Sequence, residues 1–102
     1  MEERAFTYES DNEAGRLTLH GDLDEGATFQ FRELLADLTD GLTRDLTVDL
    51  SDVDLLPSSA VGVIANAQDS ARKQGAALSL VASEGTISAR VLTICGIAYE
   101  TP

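Results

Sequence analysis

Short runs of strand-like alternation and longer stretches of helical spacing follow one another along almost the whole chain. In the run from Asp45 to Leu50, Leu46, Val48 and Leu50 alternate with polar residues, as in a half-buried strand. Five apolar residues earlier in the chain have the spacing of one helix face: Phe31, Leu34, Leu35, Leu38 and Leu42. Strands that alternate with helices usually form a largely parallel central sheet, so the pattern predicts an α/β fold.

The predicted element order is ββαβαβα, with a short final strand after the last helix. Strands are predicted at 5–9, 16–20, 45–50, 76–82 and 98–101, and helices at 28–41, 58–74 and 86–95. The polar segments 10–15, 21–26 and 51–57 are predicted as loops. Thr28 is the predicted N-cap of the first helix, and Gly41 and Gly75 are the predicted ends of the first two. We expect one domain over residues 1–102, with a mixed, mostly parallel sheet of four or five strands flanked by helices.

Charge and composition limit the classes of partner and site. The 102 residues include 18 acidic and 7 basic side chains, a net charge of −11, which disfavours binding to nucleic acid or anionic lipid. One cysteine and one histidine are too few for an internal disulfide framework or a structural zinc site. No apolar run approaches the roughly 20 residues of a membrane helix. Residues 1–10 resemble no secretory leader, so we expect no membrane insertion and a cytoplasmic location.

The sequence offers little for catalysis. His20 is expected as a partly exposed strand residue, and Ser58 lacks the G-x-S-x-G surroundings of a nucleophile elbow. The carboxylate pairs Asp22/Asp24 and Asp52/Asp54 are expected as solvated loop residues, and no glycine-rich phosphate loop occurs. Cys95 is predicted on the buried face of the last helix. We therefore expect no enzyme, no metal and no cofactor.

Ser58 and Ser59 begin the second predicted helix. A serine at this position often caps the helix, which contributes about 1 kcal/mol. The other interpretation is covalent modification, because a phosphate at a helix N-terminus is favoured by free backbone N–H groups and by the helix dipole. The sequence leaves both interpretations open.

A longer motif gives these serines a context. Residues 48–64, VDLSDVDLLPSSAVGVI, resemble the sequence pattern of the STAS domain, a family named after sulphate transporters and anti-sigma factor antagonists. The family pattern runs from an apolar strand through D-L-S and a loop ending in D-S-S-G into an apolar helix. Residues 21–24 are similar to its G-E-L-D loop, and residues 83–97 to its last helix. This chain differs at two places, with Pro57 for the Asp before the serines and Ala60 for the Gly after them.

The resemblance implies a regulatory binding protein. In free-standing bacterial members, the unphosphorylated antagonist binds an anti-sigma factor that is also a serine kinase of the GHKL ATPase type, and the sigma factor is released. The kinase then phosphorylates the first serine of the motif, which is Ser58 here, with Ser59 as the alternative, and a PP2C-type phosphatase reverses the reaction. The partner-binding residues expected here lie in the two loops and along the second helix: Asp22, Asp24, Asp54, Pro57, Ser58, Ser59, Gly62, Ala65 and Asn66.

Two alternatives remain within the same family. Some members are accessory subunits of an ABC-type lipid transporter and contact its ATPase subunit, and others bind a small ligand. The small residues Gly62, Ala65 and Asn66 also have two interpretations. They either permit close docking of a partner or pack tightly against the protein's own sheet.

Overall fold

The strands described in residues 4–102 form one mixed sheet, in which they lie side by side in chain order. The computed structural model describes residues 4–102. Its strands are β1 Thr7–Asp11, β2 Arg16–Asp22, β3 Leu46–Leu55 and β4 Leu78–Val81, and its helices are α1 Glu25–Leu38, α2 Ser58–Lys73 and α3 Ile87–Ile94. β1 pairs antiparallel with β2, and the β2–β3 and β3–β4 pairs are parallel. The predicted order and the mixed, mostly parallel sheet are confirmed.

One apolar cluster joins the sheet to all three helices. Alternate β2 and β3 residues, including Leu17, Leu19 and Val48, are fully buried. Phe31 of α1, Ile64 of α2 and Leu92 of α3 belong to the same cluster and are 0% exposed. The remaining face of β2 and β3 carries polar and charged side chains, so the sheet buries one face more completely than the other.

β3 is longer than predicted. It continues through most of 51–57, the segment expected as a loop, and ends at Leu55. The pairing of β3 with β2 shifts at two places, between Thr18 and His20 and between Gly21 and Asp22. At the first, Thr18 pairs with Asp49 and His20 with Asp52, so Leu50 and Ser51 lie opposite the single residue Leu19. Such a bulge breaks the alternation that marks a strand in sequence while pairing continues beyond it.

α1 begins earlier than predicted. The predicted loop 21–26 is reduced to Leu23 and Asp24, because β2 runs to Asp22 and the helix starts at Glu25. Asp24 is the N-cap, since its Oδ1 accepts the Ala27 N–H at 2.9 Å. The predicted cap, Thr28, is buried inside the helix, where its hydroxyl donates to the Leu23 carbonyl. The helix ends at Leu38, three residues before Gly41, and Leu42 lies beyond it.

The C-terminal region departs from prediction in two respects. The buried residues of α3 are Ser88, Ala89 and Leu92, whereas Cys95 is exposed, so its predicted burial was wrong. The last predicted strand is reduced to one parallel bridge between Val81 and Glu100. No helix in residues 4–102 has the length and apolar character needed to cross a bilayer.

Candidate functional site

The N-termini of α1 and α2 lie at the same edge of the sheet. They follow β2 and β3, which are adjacent and parallel, so both strands end at this edge. Asp22 pairs with Leu55, and the Leu23 N–H donates to the Leu55 carbonyl at 3.1 Å. Ligands of parallel sheets commonly bind at the carboxyl ends of the strands. The structure therefore brings the two segments of the predicted site together.

Ser58 and Ser59 are the first two residues of α2, and both are exposed. The N-cap is Pro57, whose carbonyl accepts the N–H groups of Ala60 at 3.0 Å and Val61 at 3.1 Å. No side chain caps this helix, so capping, one of the two interpretations that the sequence left open, is wrong. As the first two residues of the helix, Ser58 and Ser59 carry N–H groups that lack an intrahelical partner, and no side chain caps them.

A row of small, exposed residues continues from these serines along α2. Gly62, Ala65 and Asn66 are all exposed, and a Cβ added at Gly62 would meet nothing within 4 Å. They do not pack against the protein's own sheet, which removes that interpretation. At a rise of 1.5 Å per residue, the row from Ser58 to Asn66 is about 12 Å long. We call Ser58, Ser59, Gly62, Ala65 and Asn66 the α2 face.

Ala60 lies outside the α2 face. It is 0% exposed, so the methyl group that distinguishes it from the family's glycine packs into the core. The departure at Ala60 therefore adds nothing to the surface that a partner would meet. Pro57, the other departure, is half-buried at the helix start and supplies no capping side chain.

The three predicted acidic residues surround this edge with different contacts. Asp24 caps α1, and the carboxylate of Asp54 forms an ion pair with Arg4 Nε at 3.0 Å. Asp22 is half-buried at the end of β2. Asp22, Asp52 and Asp54 lie in strands rather than in the loops predicted for them. Their strand positions place these carboxylates near the carboxyl ends of β2 and β3.

Sequence reasoning missed two features of this edge. Leu55, three residues before Ser58, leaves 44% of its surface exposed. Arg4 bridges Asp52 and Asp54, and His20 lies between Asp52 and Glu9. The bulges in β3 hide the exposure of Leu55 from a period-two pattern. The ion pairs join residues up to 50 positions apart, from Arg4 to Asp54, which no local motif reveals.

The site is a surface rather than a cavity. A groove of about 220 Å³ runs between α1 and α2, lined in part by Arg32, Leu42 and Val63, but Ser58 does not line it. Within residues 4–102, no group of three or more His, Cys, Asp and Glu side chains is placed to hold a metal ion. The arrangement presents an exposed hydroxyl, an uncapped helix N-terminus and nearby carboxylates.

Fold and edge together define a small α/β domain that presents a serine at the start of its second helix. The chain belongs to the STAS domain family: a family model described as "Mlab, STAS domain" matches residues 6–98. The family expected from residues 48–64 is thus confirmed.

Solved structures share this fold. The anti-sigma factor antagonist SpoIIAA in its unphosphorylated form is similar with a TM-score of 0.69 at 16% identity, over 96% of this chain and 86% of that one. A candidate anti-sigma factor antagonist from Thermotoga maritima has a TM-score of 0.68 at 24% identity, over 95% of this chain and 86% of that one. At these identities the likeness establishes the fold.

Proposed function

We propose that this protein is an anti-sigma factor antagonist whose binding to an anti-sigma factor is controlled by phosphorylation of Ser58. The observation that carries the proposal is the exposed Ser58 hydroxyl at the start of α2, which has no side-chain cap, unlike the starts of α1 and α3. A kinase can reach this hydroxyl without breaking a capping hydrogen bond. The fold shared with the unphosphorylated antagonist SpoIIAA supports the same function.

A phosphate on Ser58 would be compatible with the fold. The helix dipole and the free N–H groups of the first turn favour a negative group at this position. The modification adds about −1.5 to −2 charges, so we expect little change in the domain's own structure. Its effect would fall on whatever docks against the α2 face.

The electrostatic effect on a partner is large enough for a switch. Two unit charges about 4 Å apart interact by about 4 kcal/mol at an effective dielectric constant near 20. A partner carboxylate near Ser58 would therefore be strongly repelled, and each 1.4 kcal/mol or so changes affinity about tenfold. Asp22 and Asp54 already make this edge negative.

The α2 face supports the docking part of the proposal. Its exposed Gly62, Ala65 and Asn66 allow a partner's backbone or side chains to approach α2 closely. The proposed partner is an anti-sigma factor with a GHKL-type serine kinase domain, and a PP2C-type phosphatase restores the unmodified state. In this proposal the protein itself is not an enzyme, uses no cofactor, binds no nucleic acid and acts in the cytoplasm.

The test is the affinity of the anti-sigma kinase for Ser58→Glu, measured by calorimetry beside the wild type. We expect at least about a tenfold loss, from the repulsion described above. Ser70→Glu is the matched control, because it adds the same charge to the same helix about 18 Å away. Ser58→Glu with wild-type affinity would contradict the proposal, and so would equal losses in the two variants.

Pro57 favours a second candidate, a STAS accessory subunit of an ABC-type lipid transporter. It stands where the family's phosphorylated motif has Asp, so a kinase that reads this Asp would find Pro57 instead. This candidate predicts stable copurification with an ATPase subunit and no phosphate on Ser58. Binding to an anti-sigma kinase would then be undetectable for the wild type and for Ser58→Glu alike.

A further inference from the structure

The N-terminal residues 4–6, which we call the strap, cross the end of β2 beside the α2 start. The Arg4 carbonyl accepts the Asp22 N–H at 3.0 Å. A Cβ added at Gly21 would lie 2.3 Å from the Ala5 carbonyl oxygen, so the strap lies directly against the backbone of β2. The Arg4 guanidinium then reaches β3, where it pairs with Asp52 and Asp54, each at 3.0 Å. The position of the strap therefore depends on the charges at the end of β3.

His20 links Asp52, one of these two carboxylates, to Glu9 of β1. Its Nδ1 lies 2.6 Å from Asp52 Oδ2, and its Nε2 lies 2.9 Å from Glu9 Oε2. Both ring nitrogens can donate to carboxylates at once only in the protonated, positively charged imidazole. The side chain is 28% exposed, so protons from solvent can reach it.

Acidic groups surround this imidazole from each packed element. Glu9 faces it from β1, Asp52 from β3, and Asp22 lies two residues along its own strand on the same side of the sheet. Arg4 and Asp54 complete the cluster through the strap. When His20 is neutral, Arg4 is the only cation that the structure of residues 4–102 places in contact with these acids.

We propose that Glu9, His20 and Asp52 form a pH-dependent clamp that holds β1 and the strap against the end of β3. The clamp is closed while His20 is protonated and both carboxylates are ionised. It weakens when His20 loses its proton, because Asp52 then loses one of its two cationic partners. This device is separate from phosphorylation, although it lies at the same edge of the sheet as Ser58.

The pH window follows from the groups involved. The hydrogen bond to Asp52, and after it the smaller effect of the hydrogen bond to Glu9, raise the pKa of His20 above its ordinary 6.5. The stabilisation is therefore fully present below about pH 6.5 and is lost as the pH rises through the raised pKa of His20.

Two measurements on the wild-type protein test the clamp. His20 is the only histidine, so its ring signals in an NMR titration give its pKa without assignment ambiguity. Hydrogen exchange at the Asp22 amide, which bonds to Arg4 of the strap, gives the protection factor at each pH. Linkage predicts that the Asp22 protection factor falls as the pH rises through the His20 pKa. The total fall is about tenfold for each unit by which the measured His20 pKa exceeds 6.5.

Variants separate the clamp from a general charge effect. His20→Gln should have low Asp22 protection that no longer depends on pH between 6 and 9. Glu9→Gln should lower the His20 pKa, whereas the control Glu13→Gln, which removes the same charge from the β1–β2 turn, should leave it nearly unchanged. A His20 pKa at or below 6.5, or Asp22 protection that stays constant while His20 titrates, would overturn the proposal.

Discussion

The first two helices start at the same edge of the same sheet, yet their first turns are built differently. α1 is capped by the Asp24 carboxylate, which accepts the Ala27 N–H at 2.9 Å. α2 follows Pro57, which brings no capping side chain, and its two serines face solvent. A cap satisfies the helix start from within the chain, whereas an uncapped start leaves N–H groups free for an anion. The first arrangement serves stability, and the second suits a site that is modified.

The largest effect is expected from a substitution among the small residues of α2. Gly62→Leu should lower affinity for the anti-sigma partner at least about tenfold, because its bulk would block close docking. The fold should remain intact, since the position is open and leucine favours helix more than glycine does. Ala36→Leu, an exposed position near the other end of α1, is the control. Calorimetric titration that shows unchanged affinity for Gly62→Leu would remove the α2 face from the binding surface.

Alanine substitutions compare the two helix starts directly. Asp24→Ala should reduce the free energy of unfolding by about 1 kcal/mol, because the cap to Ala27 is lost. Ser58→Ala should change it by less than about 0.5 kcal/mol, since no capping bond involves Ser58. Urea unfolding followed by circular dichroism measures both. Equal destabilisation by the two substitutions would mean that the α2 start is capped in solution after all.

Giving α2 a cap should produce a smaller effect. Pro57→Asp adds a side chain that can accept a first-turn N–H, a gain of about 1 kcal/mol. Loss of proline's rigidity in the unfolded state offsets about 0.4–1 kcal/mol of it, so we expect a net change below about 0.5 kcal/mol. Pro57→Ala, which removes the ring without adding a cap, should be less stable than Pro57→Asp. If both variants unfold at the same urea concentration, the new carboxylate does not cap the helix.

The architecture was predictable from residue spacing because each core face has a regular period. The order of strands and helices follows from local patterns. The end of β3 could not be predicted from a local pattern, because the bulge opposite Leu19 shifts which residues are buried. The start of α1 was also mispredicted, since Asp24 and Thr28 are both good caps by type and only the backbone path decides between them.

The site was predictable to a different extent. Its serines, acidic residues and small helix residues were expected from the sequence, and the structure places Asp22 and the serines at one edge of the sheet. Their role in binding a partner stays a prediction. The network of Arg4, Asp52 and His20 was not expected, because its members come from three separate segments. Only the sheet register places them together. Local sequence thus indicates a site when its residues are close together in the chain. It does not indicate a cluster whose residues are brought together only by the pairing of strands.

Mapping phosphate on the protein isolated from its native cells tests most directly whether the uncapped α2 start is a modified site. Intact-mass and peptide mass spectrometry would be run across growth phases and stresses. We expect a fraction of molecules with one phosphate, located on Ser58. Protein without phosphate under every condition, or with phosphate only outside Ser58 and Ser59, would contradict control of binding by modification at this helix start.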